Sequence, residues 1–190
     1  MTTHPAPIPD ADRSADWSAA LPFEAWLAEA DDLVELWTSA YERARVPEDL
    51  VERVEAAPGD WRLLVIMEDW CLDATAGMPA LARLAEETEG LSLGVLDRDD
   101  HLSLMDEHLT NGTARSIPVV LLLDGEGTER AWWGPRPADL QAWFYGDAQE
   151  LDKDDRYREL RKWYARDRGA STLREVVEMI EDAAGTAHIA

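Results

Sequence analysis

The chain holds one cysteine, Cys71, within Glu68-Asp69-Trp70-Cys71-Leu72-Asp73-Ala74, directly after the apolar run Leu63 to Met67. A strand that delivers a cysteine to the start of a helix sets its sulfur among unpaired backbone N–H groups. There the positive end of the helix dipole favours the thiolate, which is the nucleophilic form. Three residues further on, where a two-thiol exchange site would carry its resolving cysteine, stands Ala74. Cys71 therefore cannot close an internal disulfide, and an adduct formed on it must be resolved by a thiol from outside the chain.

Charged neighbours pull on that sulfur in both directions. Glu68, Asp69 and Asp73 oppose ionisation, because nearby negative charge disfavours another anion. Arg98, Arg115 and Arg136 fall in loops expected to flank the site. If they converge there, they offset the acids and form a site for an anionic ligand such as a carboxylate-bearing small thiol. Their plain alternative is pairing with surface carboxylates. Asp73 likewise has two readings, a first-turn acid that stabilises its helix and a proton relay for Cys71. Trp70 and Trp133 are read as half-exposed cleft walls, with simple packing as the alternative. His4, His101, His108 and His188 are scattered, and His101 and His108 are expected on an exposed helix face, solvated and not bound to metal. No phosphate loop, serine elbow or dinucleotide fingerprint is found, so no cofactor and no metal is expected.

Charge narrows the partners. Lys and Arg total 18 against 40 Asp and Glu, a formal charge of -22, and such a surface repels nucleic acid and anionic membranes. The acidity is read either as a solubility device or as adaptation to high salt, where self-repulsion is screened. The first residues lack the basic start and apolar core of a signal peptide, and no run approaches the ~18 apolar residues of a membrane helix. A soluble protein acting in the cytoplasm is expected. One cysteine excludes a disulfide framework and a cysteine-rich metal site.

The elements that must position Cys71 follow from periodicity. Residues 1–20 offer little to bury and are expected to be a disordered tail. Residues 21–58 form an N-terminal helical extension: an amphipathic helix from Pro22 to about Arg45, broken near Ala30, then a short helix opened by Pro47-Glu48-Asp49. Residues 59–147 form the core. Strands are expected at 61–67, 91–96, 117–123 and 128–133, with helices at 73–88, 100–109 and 137–144. Residues 148–190 add a C-terminal extension of two amphipathic helices, 151–166 and 173–184. The order implies an α/β fold, a central mixed sheet with helices on both faces.

With these elements laid out, the chain resembles, from about Phe23 to Ile180, a bacterial thioredoxin-like family whose members carry a Trp-Cys-Gly-Asp-Ala site. The matching segments are Glu68-Asp69-Trp70-Cys71-x-Asp73-Ala74, Leu104-Met105-Asp106 with Leu109-Thr110-Asn111-Gly112, Arg115-Ser116-Ile117-Pro118 and Trp133-Gly134-Pro135-Arg136. Leu72 departs from the family's glycine and should narrow the approach to the sulfur. The resemblance implies a thioredoxin-like fold and several roles. Pro79 resembles the proline that kinks the active-site helix. Ile117-Pro118 resembles the cis-proline dipeptide facing the sulfur, whose backbone an extended substrate could pair with. Gly134 resembles the glycine completing the substrate-facing surface, and Val65 stands where thioredoxin has a buried acid.

Two function classes follow. In one, the protein is a monothiol thiol-disulfide oxidoreductase: Cys71 attacks a disulfide, Asp73 assists, and a protein or small-molecule thiol resolves the adduct. In the other it is a binding module that holds its partner in the Pro118 groove without turnover. In both, Trp70, Ile117, Pro118, Gly134, Arg98, Arg115 and Arg136 line the binding surface. The placing of the sulfur favours the first.

Overall fold

Trp61 to Met67 is apolar at nearly every position, the composition of a strand covered on both faces, and it forms the centre of the sheet as β2 (Trp61–Met67). A computed structural model describes residues 11–187 of the chain. The sheet order is β1-β3-β2-β4-β5, with β1 (Leu21–Pro22), β3 (Leu91–Asp97), β4 (Val119–Asp124) and β5 (Glu129–Trp133). β2 runs parallel to β3 and antiparallel to β4, and β5 returns antiparallel through the turn at 124–128. This is the expected mixed sheet, and the side chains of β2 and β4 that fill its core are wholly buried from Leu63 to Met67 and from Val119 to Leu123.

The helices are α1 (Ser14–Ala19), α2 (Phe23–Glu29), α3 (Val34–Arg43), α4 (Glu48–Ala56), α5 (Leu72–Glu87), α6 (Leu102–Asp106), α7 (Ala138–Tyr145), α8 (Lys153–Asp167) and α9 (Ala170–Ala187). The long N-terminal pattern does break at Ala30, and Phe23, Trp26, Trp37 and Tyr41 of α2 and α3 stack into one aromatic cluster under the sheet. Among the described residues no helix is long and apolar enough to cross a membrane.

Three local expectations are corrected. The disordered tail does not extend through residue 20: Arg13 is 6% exposed and ion-paired to Glu129 at 2.7 Å. Trp17 and Ala20 press on β3 where Gly94 leaves room, since a Cβ there would sit 2.9 Å from that of Ala20. Residues 1–10 lie outside the described residues. The helix expected over 100–109 shrinks to a 3-10 turn, Arg98–Asp100, and α6. The reason is His108, expected in solvent and in fact fully buried, its ring hydrogen-bonded at 2.8 Å both to the Leu104 carbonyl and to Glu129. His101 is half-buried against the Asp97 carbonyl, and His4 and His188 lie outside the described residues. Among the described residues no cluster of His, Cys, Asp and Glu is arranged to hold a metal ion.

Candidate functional site

β2 ends at Met67, and a turn closed by the Cys71 N–H on the Glu68 carbonyl (3.1 Å) passes the chain into α5. Two acids read above as electrostatic opponents of the thiol prove to be ties for this turn. Glu68 accepts from the Asp99 N–H at 2.8 Å, and one Asp69 oxygen accepts from the N–H groups of Asp31 and Asp32 at 2.8 and 2.9 Å. The Asp69 carbonyl also accepts from the Trp37 indole at 2.7 Å, which anchors α3 beside the site. The N-terminal extension is thus part of the site's scaffold.

Cys71 is the N-cap residue of α5, and its carbonyl accepts from the Thr75 N–H at 3.1 Å. Its side chain is turned inward, 7% exposed, with the thiol donating to the Ile117 carbonyl at 3.5 Å. Burial pushes the thiol up to about 11, and the Asp73 charge adds to the shift. The Ala74 and Asp73 backbone N–H groups and the Arg136 guanidinium pull the other way without overcoming it. The thiolate expected from the helix terminus is therefore not the resting form, because desolvation of the anion outweighs the dipole.

The Ile117-Pro118 bond is cis, and so is Gly134-Pro135, which the sequence reading did not single out. Gly134 has φ +140, and a Cβ on it would fall 2.3 Å from the Pro118 carbonyl oxygen. Glycine is required there by the close approach of two backbones. Ile117 and Pro118 are buried, and the Ile117 carbonyl is taken by the thiol, so the open side of the site is not at the dipeptide. Val65 is wholly buried in the apolar core.

The site opens instead on a cleft of about 910 Å³ between α3, the first turns of α5 and α8, with Trp70, Cys71 and Leu72 at one end. Trp70 and Leu72 are 46% and 44% exposed at its mouth. Trp133, expected as a second wall, is buried and donates to Glu175 at 2.7 Å, a packing role.

Inside the cleft Asp73 and Arg136 form an ion pair at 2.5 Å, both side chains about nine-tenths buried. Arg136 also lies over the Phe144 ring at 4.1 Å and donates to Gln141. One Asp73 oxygen, the Arg136 Nε and the Tyr164 hydroxyl are buried with no partner at full hydrogen-bond geometry among the described residues, and the hydroxyl faces the Asp73 carboxylate. Burial and the neighbouring Asp73 raise the Tyr164 hydroxyl far above its ordinary range, so it is a donor at any ordinary pH.

The three arginines do not converge. Arg115 is held outside by Asp106 at 2.6 Å, and Arg98 pairs with Asp99 at 2.7 Å while lying over the Trp70 ring at 5.0 Å. Each has a carboxylate in or beside its own loop, nearer than the sulfur. Only Arg136 reaches the site. Sequence reasoning did not single out Tyr164, Arg43, Arg45, Arg161 or Arg168, which line the cleft from α3, α8 and their ends. For Arg161 and Arg168 the available signal was their shared register with Tyr157, Leu160 and Tyr164 on α8.

Comparison with known proteins places this geometry. No curated protein matches the chain. Among solved structures it is similar to a protein of unknown function, PA1234, from Pseudomonas aeruginosa, at 22% identity with a TM-score of 0.71, covering 91% of this chain and 99% of that one. It is also similar to an HIV epitope scaffold at 19% identity with a TM-score of 0.72, covering 90% and 99%. Both likenesses concern the fold. A family model described as Thioredoxin matches residues 20–170, a span that takes in the sheet, the Cys71 turn and both cis prolines, and the chain belongs to that thioredoxin family.

Proposed function

We propose that the protein is a monothiol thiol-disulfide oxidoreductase acting through Cys71 on small-molecule or protein mixed disulfides. The observation that carries this reading is the Cys71 sulfur at a helix start beside a cis Ile117-Pro118 bond, open to a cleft, with Ala74 in the second-thiol position. The Cys71 thiol first loses its proton, for which the unbonded Asp73 oxygen is the candidate acceptor. The thiolate attacks one sulfur of R–S–S–R′, forming a Cys71–S–S–R bond as R′–S⁻ leaves and takes up a proton. A small thiol R″–SH, attacking as its thiolate, then takes the R sulfur to form R–S–S–R″ and releases the Cys71 thiolate, which takes up a proton. The small thiol is the reductant and the substrate disulfide the oxidant. The Tyr164 hydroxyl is placed to donate to an anion in the cleft, and Trp70 and Leu72 frame its mouth. This chemistry needs a pool of reduced thiol, so the reading assigns the protein to the cytoplasm.

One observation favours the alternative, a groove that binds without turnover: the sulfur is buried and its pKa stands at about 11. The two readings separate in one experiment. With excess N-acetylcysteamine, the wild type should convert hydroxyethyl disulfide to the mixed disulfide and 2-mercaptoethanol at a catalysed rate climbing roughly tenfold per pH unit from 7 to 10, with no plateau below about 11. Cys71→Ser should lose at least ~100-fold of that rate. Wild-type turnover by Cys71→Ser, or none by the wild type at any pH, replaces the enzyme reading with the binding module.

A further inference from the structure

The cleft that opens at Cys71 is lined by five arginines, Arg43, Arg45, Arg136, Arg161 and Arg168, against a single acid, Asp73. On a protein of formal charge -22 this is an inversion of sign. Most other cations, Arg53, Arg83, Arg115 and Arg158 among them, are ion-paired with carboxylates. In the cleft only Arg136 is. Arg43 donates to the Ser39 hydroxyl and Arg45 to the carbonyls of Glu42 and Ala44, while the Arg161 and Arg168 guanidiniums have no partner among the described residues. Among the described residues no carboxylate forms an ion pair with these four.

The arginines are not spread evenly. Gly169 packs on α5 at Ala80, where a Cβ would lie 3.0 Å from the Ala80 methyl, and Arg83 donates to the Tyr41 carbonyl at 3.3 Å. These contacts set Arg168 and the C-terminal end of α3, with Arg43 and Arg45, against α5 between Ala76 and Arg83, past its first turn. Nine residues of helix separate Cys71 from Ala80, about 13 Å at 1.5 Å per residue. The wall between is apolar, formed by Ala40, Ala76, Pro79, Leu160 and Ala165. Several guanidinium forks without a carboxylate partner match a dianion with three oxygens better than a single carboxylate. Arg136 and the unbonded Tyr164 hydroxyl stand at the sulfur end.

We propose that the cleft binds a small thiol, free or as its disulfide, that carries a phosphate at the far end of a largely uncharged arm laid along α5. The phosphate is held by Arg43, Arg45 and Arg168, and the sulfur lies against Cys71. The thiol-exchange reading supplies the identity of the reacting end; the span and charge of the cleft supply the rest.

The test uses the full chain carrying Cys71→Ser, so that binding is read without covalent chemistry. By titration calorimetry in 50 mM NaCl, 4′-phosphopantetheine should bind at least ~10-fold more tightly than pantetheine, which has the same arm without phosphate. Adding Arg43→Gln and Arg168→Gln should erase that difference, whereas Arg158→Gln, on an exposed face outside the cleft, should leave it. Raising NaCl to 500 mM should weaken the phosphate-bearing probe selectively. Equal binding of the two probes, binding of glutathione as tight as that of 4′-phosphopantetheine, or a difference that survives both arginine changes overturns the proposal. Because the serine protein reports only binding, and the turnover assay above uses an uncharged disulfide, each can fail while the other stands.

Discussion

Cys71 carries a stability consequence as well as a chemical one. In the unfolded chain its thiol ionises near the ordinary value of 9.0, and in the folded chain burial delays ionisation to about 11. Between those values the folded form holds a proton that the unfolded form has released, so stability falls as pH rises. The raised pKa contributes fully below pH 9 and is lost by pH 11, a change of about 3 kcal/mol from a two-unit shift. Urea midpoints measured at pH 8.5 and 11 should show this loss in the wild type and a shallower one in Cys71→Ser, whose hydroxyl does not titrate there. Parallel slopes in the two proteins would mean that the thiol is not buried. The position of Cys71 at a helix start was legible from the apolar run before it, and its pairing with a cis proline from the family resemblance that Ile117-Pro118 helps to carry. The protonation state was not, because it depends on how deeply Leu72, Ile117 and α8 enclose the sulfur. The arginines illustrate the same divide. Arg136 could be found from its place after Trp133-Gly134-Pro135, but Arg98 is captured by Asp99, the next residue, and Arg115 by Asp106, nine residues earlier, pairings that the expected loops do not announce.

Elements remote in sequence meet at a buried charge cluster beneath the sheet edge. Arg13, in the turn before α1, donates to Glu129 at the start of β5, and the other Glu129 oxygen meets the His108 ring after α6. Glu129 is 1% exposed and His108 not at all. Removing one member of such a set leaves an uncompensated buried charge, so Arg13→Ala should cost about 3 kcal/mol of stability. Its urea midpoint should fall with an unchanged m-value, whereas Arg158→Ala on an exposed helix face should shift it by less than ~0.5 kcal/mol. A neutral Arg13→Ala would show that the N-terminal turn contributes little to holding the core. This cluster also explains where element reading succeeded and failed. β2, β3, β4, α5 and the helices flanking the core carry strong apolar periodicity and were found within a few residues. β1 is two residues long, Leu21 and Pro22 pairing with Val95 and Gly94, and exists only through that contact. α6 is short because its C-terminal histidine points into the core and not to water, a choice set by a glutamate 21 residues away.

At the scale of the whole molecule, a formal charge of -22 acts against compaction, because repulsion grows with the square of the net charge while ion pairs add singly. Salt screens both. The pairs on this surface are mostly short-range and worth about 0–1 kcal/mol each, and pairs in contact are screened less than charges spaced across the surface. Repulsion is distributed over the entire chain at separations comparable with the Debye length, about 10 Å at 0.1 M. Screening should therefore remove more repulsion than attraction, and thermal unfolding should move upward by several degrees between 20 mM and 1 M NaCl. A chain stabilised chiefly by its ion pairs would move downward instead. The cleft beside Cys71 is the exception within this field, since its arginines repel one another on an otherwise negative protein. An anion that fills the cleft should accordingly raise the unfolding temperature most at low salt. That increment should shrink as NaCl rises, even while the protein alone grows more stable. Differential scanning calorimetry with and without 1 mM 4′-phosphopantetheine across the same salt series tests both trends at once. A ligand increment that stays constant with salt would show that the arginines do not hold the anion by charge.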